Sequence, residues 1–273
     1  VQRTLKFTKY MSKYNWLPTV ITAGNTGYFA HDSYMLDEAN SSDINIIRTE
    51  GLDPNSLLSK YGTITMPHEF IRKTLSNLSK TFIIPDNKIS WAKRAYETAR
   101  ELLKKEHFDV IFVSIPPYSA FQYAAKLKSE FNTPLIVDYR DLWYGNQFSF
   151  YPTSYHRLKH KKLEYLALKA ADKIVVVNRY IKEKLLTEFK FLTFDDIIII
   201  PQGYDPEDFE KSTPITLNPN KLKITYSGIF YEKLTPKYFL KAFKELSLER
   251  PDIAANIELH FCGILKKENV KLV

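Results

Sequence analysis

Two carboxylates and a guanidinium close an otherwise apolar run in LIVDYRDLWYGN, residues 135–146: Asp138, Arg140 and Asp141, with Trp143 just beyond. Such a set can hold a hydroxyl, receive its proton, or stabilise a developing negative charge. It can also neutralise itself, as an Arg140–Asp141 ion pair at a strand end. Two other stretches end in the same manner. FVSIPPYS (112–119) brings Ser114, Pro117, Tyr118 and Ser119 after an apolar run, and IPQGYDPEDF (200–209) brings Gln202 and Gly203. Each has a plainer reading as a turn, since two prolines stiffen a loop and Gly and Asp-Pro favour turns.

The elements that must position these residues alternate. Runs at 17–23, 44–49, 109–116, 134–139, 173–178 and 196–201 read as strands. The last four are continuous Val/Ile/Phe runs, which suit parallel strands covered on both faces. Helical spacing occupies 89–107, 119–131, 155–171 and 178–189, with Asn178 placed to cap the last helix. The rhythm predicts an α/β fold with a doubly wound parallel sheet. In open sheets of that kind, ligands bind outside the C-terminal ends of the strands. All three polar stretches fall there.

Residues 1–15 read as an amphipathic helix with Val1, Leu5, Tyr10 or Met11, and Tyr14 near one face. A doubly wound domain places a strand before such a helix, so the first strand is expected to be missing. Residues 1–205 form the first domain in this reading. Residues 206–220 carry three prolines and read as a linker. Strand patterns at 221–230 and 257–263, with a helix at 236–250, open a second α/β domain over 221–273, which is left incomplete.

Composition narrows the class. The chain has 273 residues, 44% hydrophobic and 26% charged, enough for a sizeable core. No run of apolar residues is long enough to span a membrane, no signal peptide is seen, and the single Cys262 excludes an internal disulfide framework. A cytoplasmic setting fits. The net charge of +8 suits a phosphorylated ligand or an anionic surface. Nucleic acid is a poor partner here, because no zinc-finger spacing, RNA-binding motif or dense basic run is present.

Read in order, VQRTLKFTKYMSKYNWLPTVIT, FIIPDNKISWAKRA, FDVIFVSIPPYSA, PLIVDYRDLW, KLEYLALKAADKIVVVNRYIKEKL, IIIIPQGYDPEDF and ITYSGIFYEK give the chain a likeness. It resembles the family 4 glycosyltransferases, retaining enzymes of the GT-B fold with two Rossmann-like domains. It looks most like bacterial members that build capsular, exopolysaccharide or cell-wall glycans. The resemblance implies an acceptor-binding N-terminal domain and a second domain for a nucleotide-sugar donor. It implies retention of configuration and no metal, with basic side chains and backbone N–H groups stabilising the leaving diphosphate.

By position, the likeness puts Ser114, Arg140 and Asp141 at the reaction centre. The family often has His where Ser114 stands, and His-Asp where Arg140-Asp141 stands. Gln202, in place of the usual Asn, falls with Gly203, Gly228 and Lys233 on the donor side. Gly228 is followed by Ile229 rather than the common Arg, and a solvated Lys233 is the plainer reading of that residue. Pro117, Tyr118, Ser119, Asp138 and Trp143 fall on the acceptor side. Asp138 and Asp141 either serve the acceptor hydroxyl or position Arg140. No single general base is named, because the donor's own phosphate can take the proton.

The same likeness suggests a lipid-linked acceptor. Residues 148–162, FSFYPTSYHRLKHKK, then become a candidate contact with an anionic membrane, where aromatic rings and basic side chains favour the headgroup layer. The alternative is a loop leading into a helix packed through Leu158, Leu163 and Leu166. Two other functions share parts of this pattern. A sugar-nucleotide 2-epimerase has the same architecture, but the six His here do not cluster at strand ends. A non-catalytic sugar-binding module is the other.

Overall fold

Leu135, Val137 and Tyr139 are fully shielded from solvent, which is what a strand covered on both faces requires. The computed structural model describes residues 2–24, 27, 32–42, 44–52, 69–146, 149–210, 218–230 and 234–263. The chain divides into two compact units, Val1–Asp205 and Pro206–Val273. Each is an α/β unit with parallel strands.

In the first unit, four parallel strands lie side by side in chain order: β3 (Ile111–Ile115), β4 (Leu135–Tyr139), β5 (Lys173–Val176) and β6 (Ile197–Ile199). Ser114 pairs with Asp138, and Ile115 with Tyr139, so β3 and β4 end together. The core gathers Ile115, Phe121, Leu135, Val137, Tyr139, Trp143, Leu168, Ile174 and Val176. β6 behaves differently from the sequence expectation. Only Ile197 is buried, and Ile198, Ile199 and Ile200 are exposed. Among the described residues the strand pairs with β5 alone, so the apolar run does not mean burial here. A separate parallel pair, β1 (Thr19–Ala23) and β2 (Asn45–Thr49), forms its own ladder.

The helices of this unit are α1 (Gln2–Met11), α2 (Ser33–Ser41), α3 (Glu69–Phe82), α4 (Ile89–Lys105), α5 (Tyr118–Phe131), α6 (Ser154–Ala170) and α7 (Arg179–Glu188). Asn178 caps α7 as its sequence position suggests, accepting from the Ile181 N–H at 2.9 Å. Asp32 does the same for α2, a helix the periodicity did not reveal. α1 lays Phe7 edge-on against Phe112 of β3. Tyr14, expected on the packed face of that helix, is exposed at the end of a single 3₁₀ turn, Ser12–Tyr14, that follows α1.

The second unit opens with a short helix, α8 (Glu207–Glu210), where a linker was expected. Then come β7 (Leu222–Ser227), α9 (Lys237–Glu249), α10 (Pro251–Ala254) and β8 (Ile257–Cys262), with β7 and β8 paired in parallel. Phe230 is its buried hydrophobic among the described residues, stacked on Tyr226 at 4.3 Å and beside Phe261.

Candidate active site

The ends of β3 and β4 carry a buried ion pair. Asp138 is 1% exposed. A bare carboxylate at that depth is costly, so it needs partners. Arg3, from the first turn of α1, supplies Nη2 at 3.0 Å and Nε at 3.2 Å. Ser114 Oγ donates to the other carboxylate oxygen at 2.9 Å. Arg3 also donates to the carbonyls of Ile200 and Pro201 at 3.0 Å each. One guanidinium thus joins the start of α1 to the ends of β4 and β6. Asp138, expected on the acceptor side, thus braces the edge together with Ser114.

Arg140 leaves the strand just beyond. Its N–H continues the ladder to the Ile115 carbonyl at 3.1 Å, and Nη2 donates to the Pro116 carbonyl at 2.6 Å. Nε is buried without a hydrogen-bond partner among the described residues. Asp141 is exposed, and the two form no ion pair among the described residues. The anchored guanidinium so keeps an unsatisfied donor at the sheet's C-terminal edge, beside an open carboxylate.

Behind Arg140 and Asp141 the chain is held by aromatic and polar packing. The Tyr118 hydroxyl donates to the Leu142 carbonyl at 2.7 Å, and its ring stacks on Trp143 with centroids 5.0 Å apart. Burial raises the Tyr118 pKa, so it stays a neutral donor. Trp143 is 1% exposed and its Nε1–H donates to His160 Nδ1 at 2.9 Å. Burial lowers the His160 pKa, which keeps the ring neutral and its Nδ1 an acceptor. Ser119 is fully buried: its N–H and Oγ both donate to Asp86, at 2.9 and 2.8 Å. Asp86 thereby caps α5 from another stretch of chain. The polar atoms of Ser119 and Trp143, both expected on the acceptor side, are engaged within the fold. Pro117 occupies the N-cap position of α5 and stays half-buried with Tyr118.

Gln202 and Gly203 are exposed past the end of β6. Gly203 has no positive φ and an added Cβ would meet nothing within 4 Å, so its turn does not require glycine. Asp205 of the same stretch is buried, accepting from Tyr10 Oη at 2.6 Å and paired with Lys6 at 2.7 Å.

In the second unit the strand ends are built from backbone. The Gly228 N–H donates to the Cys262 carbonyl at 2.9 Å, with φ +153° at Gly228 and +133° at Gly263. A Cβ at Gly263 would lie 2.0 Å from the Gly228 carbonyl oxygen. Only glycine fits there. Gly263 ends its strand as Gly228 does, and that parallel was the available sign. Lys233 lies outside the described residues.

Side chains missed by sequence reasoning are Arg3, Asp86, His160 and Glu164. The partners named above lie between 17 and 198 residues away, and no local spacing marks them.

Residues 62–208, more than half the chain, match the model of Glycosyltransferase Family 4. Among solved structures, HepE from Anabaena in complex with UDP is 9% identical, with a TM-score of 0.45, over 90% of this chain and 69% of that one. A UDP-N-acetylglucosamine 2-epimerase is 14% identical, with a TM-score of 0.37, over 89% of this chain and 63% of that one. No curated protein sequence matches significantly.

Proposed function

Because the chain belongs to glycosyltransferase family 4, we propose that it moves a sugar from a nucleoside-diphosphate donor to a glycan or lipid-linked acceptor, with retention. The first unit holds the acceptor and the second the donor. The acceptor oxygen bonds to the anomeric carbon as the bond to the diphosphate oxygen breaks, and the hydroxyl proton leaves on the nucleoside diphosphate. The observation that carries this reading is Arg140: a guanidinium anchored by Pro116, with Nε unpaired among the described residues at the sheet edge and the Asp141 carboxylate exposed beside it in the chain. Such a pair suits a passage through an oxocarbenium-like state.

In this reading Arg140 and Asp141 act at the reaction centre, where Ser114 braces Asp138. Tyr118 and Pro117 border the acceptor. Gly228 and Gly263 let backbone approach the donor phosphates, with Gln202, Gly203 and Lys233 as further donor contacts. Basic and backbone donors do the work a metal would otherwise do. Bacterial capsule, exopolysaccharide or cell-wall glycan synthesis, in the cytoplasm, is the setting proposed.

The reading extends to a membrane surface. Of Leu158, Leu163 and Leu166, through which the solvated-helix alternative would pack, Leu163 packs against the core, and Leu158 and Leu166 are 67% and 54% exposed. They share the outer face of α6 with Tyr155, Lys159, Lys162, Tyr165 and Lys169, while His160, Glu164, Ala167 and Leu168 face the core. An apolar and basic face of this kind suits a peripheral anionic bilayer contact. No helix among the described residues is long and apolar enough to cross a membrane.

The test is a panel of nucleoside-diphosphate sugars with the full-length protein, with and without lipid-linked acceptors. Nucleoside diphosphate release that depends on acceptor, with the donor's anomeric configuration kept, supports the proposal. Conversion of the donor sugar to its 2-epimer without any acceptor overturns it in favour of an epimerase. Binding without turnover overturns it in favour of a sugar-binding module.

A further inference from the structure

We propose that Glu164 is a positioning residue for the reaction edge: from the inner face of α6 it holds both ends of the segment that carries Arg140 and Asp141. This rests on the reading of that edge given above.

The geometry is direct. Glu164 is fully buried. One carboxyl oxygen meets the Tyr139 hydroxyl at 3.1 Å, at the end of β4. The other accepts from the Tyr144 N–H at 2.8 Å, after the chain has passed through Arg140, Asp141, Leu142 and Trp143. One side chain therefore spans the whole excursion. His160, one turn earlier on α6, accepts from Trp143 within that excursion. Two positions four apart on one helix thus fix the start, middle and end of the segment. A core that needed only filling is better served by Leu or Met, since a buried carboxyl brings a desolvation cost. What an apolar residue cannot supply is a two-point hold on a hydroxyl and a backbone N–H.

The groups facing Glu164 are Tyr139 from β4, Tyr118 from α5, Tyr151 from the loop before α6, Glu188 from α7, and Lys161 on its own helix. Burial is the leading influence and pushes the Glu164 acid up to about 8. At neutral pH it is a neutral acid, with one oxygen accepting from the Tyr139 hydroxyl and the other from the Tyr144 N–H. Above that value a charge enters the core beneath the reaction edge. Gln reproduces the neutral form, with an oxygen for the Tyr144 N–H and an NH₂ that donates to Tyr139 Oη.

The experiment compares wild type, Glu164→Gln and Glu164→Leu in the full-length protein. It reads hydrogen exchange of the 140–146 amides, and kcat and KM between about pH 6 and about pH 9.5. Glu164→Leu should speed exchange of the Tyr144 amide and lower kcat by about tenfold or more, with donor KM little changed. Glu164→Gln should recover both to within about threefold and abolish the wild-type fall in kcat above about pH 8. Wild-type exchange and kcat in Glu164→Leu would overturn the proposal. So would an alkaline limb in Glu164→Gln identical to that of wild type. If Glu164→Leu does not fold, the Gln pH profile decides alone. If wild type transfers no sugar, the glycosyltransferase reading fails, and the exchange measurement still decides whether Glu164 holds the segment.

Discussion

The two units end their strands by opposite means. In the first, the edge of β3 and β4 is built from buried ionisable side chains: Asp138 is gripped by Arg3 and Ser114, and Glu164 holds Tyr139 and Tyr144. In the second, β7 and β8 end in Gly228 and Gly263, whose backbones touch where a side chain would stand. The difference predicts opposite vulnerabilities. The first edge is sensitive to removing atoms, because a buried charge left alone is expensive. The second is sensitive to adding them, because one methyl group collides with a carbonyl.

The largest effect should come from Asp138→Ala, which strands the buried Arg3 guanidinium. Loss of one partner of a buried pair costs about 3–5 kcal/mol, read as a lower unfolding midpoint in denaturant. A midpoint equal to wild type would mean that the pair does not hold the first edge. On the other side of the comparison, Gly263→Ala should cost about 1–3 kcal/mol in local strain. It should weaken nucleoside-diphosphate binding by calorimetry. Gly203→Ala, with open space around it, should be near neutral in stability and serves as the control for strain. Equal stability of the two glycine variants would remove the backbone account of the second edge.

A smaller effect is a change of slope. The Glu164 acid is raised from its ordinary 4.5 to about 8. Between those values the unfolded chain has released a proton that the folded protein still holds, so wild-type stability falls as pH rises through that window. Glu164→Gln removes this dependence. Its melting temperature relative to wild type should climb from acid pH to about pH 8 and level off above. A constant difference across that range would place the carboxyl in contact with solvent. Smallest is Lys162→Gln on the outer face of α6. It should weaken binding to anionic vesicles by about 1 kcal/mol at low salt, roughly fivefold in co-sedimentation. Vesicle binding unchanged by this substitution and by added salt would take the α6 face out of the membrane contact.

Much of this fold was legible because continuous apolar runs and helical spacing are local signals. The strands at 111–115, 135–139 and 173–176 fall inside the expected runs, and Asn178 caps its helix as read. α2 and α3 were not legible. In SYMLDEANS polar residues interrupt the pattern, and in EFIRKTLSNLSKTF the helical spacing of Ile71, Leu75, Leu78 and Phe82 is diluted by Ser, Thr and Asn, which have modest helix propensity. The candidate edge was legible as a place, since polar residues after apolar strands mark it. The role of each residue was not. Asp138, Ser119 and Trp143 look like ligand contacts in sequence because their type suits one. Their partners Arg3, Asp86 and His160 lie elsewhere in the chain, and only the fold reveals that their polar atoms are already engaged. Leu158 and Leu166 misled in the other direction: apolar at helical spacing, yet exposed.

The most direct test of the central claim, that sugar transfer takes place at the β4 edge, is the turnover of Arg140→Ala in the full-length protein with its donor and acceptor. Among the described residues the Arg140 side chain makes one hydrogen bond, to Pro116, and leaves Nε unpaired, so its removal should spare the fold. The account predicts an unchanged melting temperature and kcat lower by about 100-fold, the loss expected when one charge-stabilising donor is deleted. A folded Arg140→Ala protein that transfers sugar at the wild-type rate would contradict it and move the reaction away from this edge.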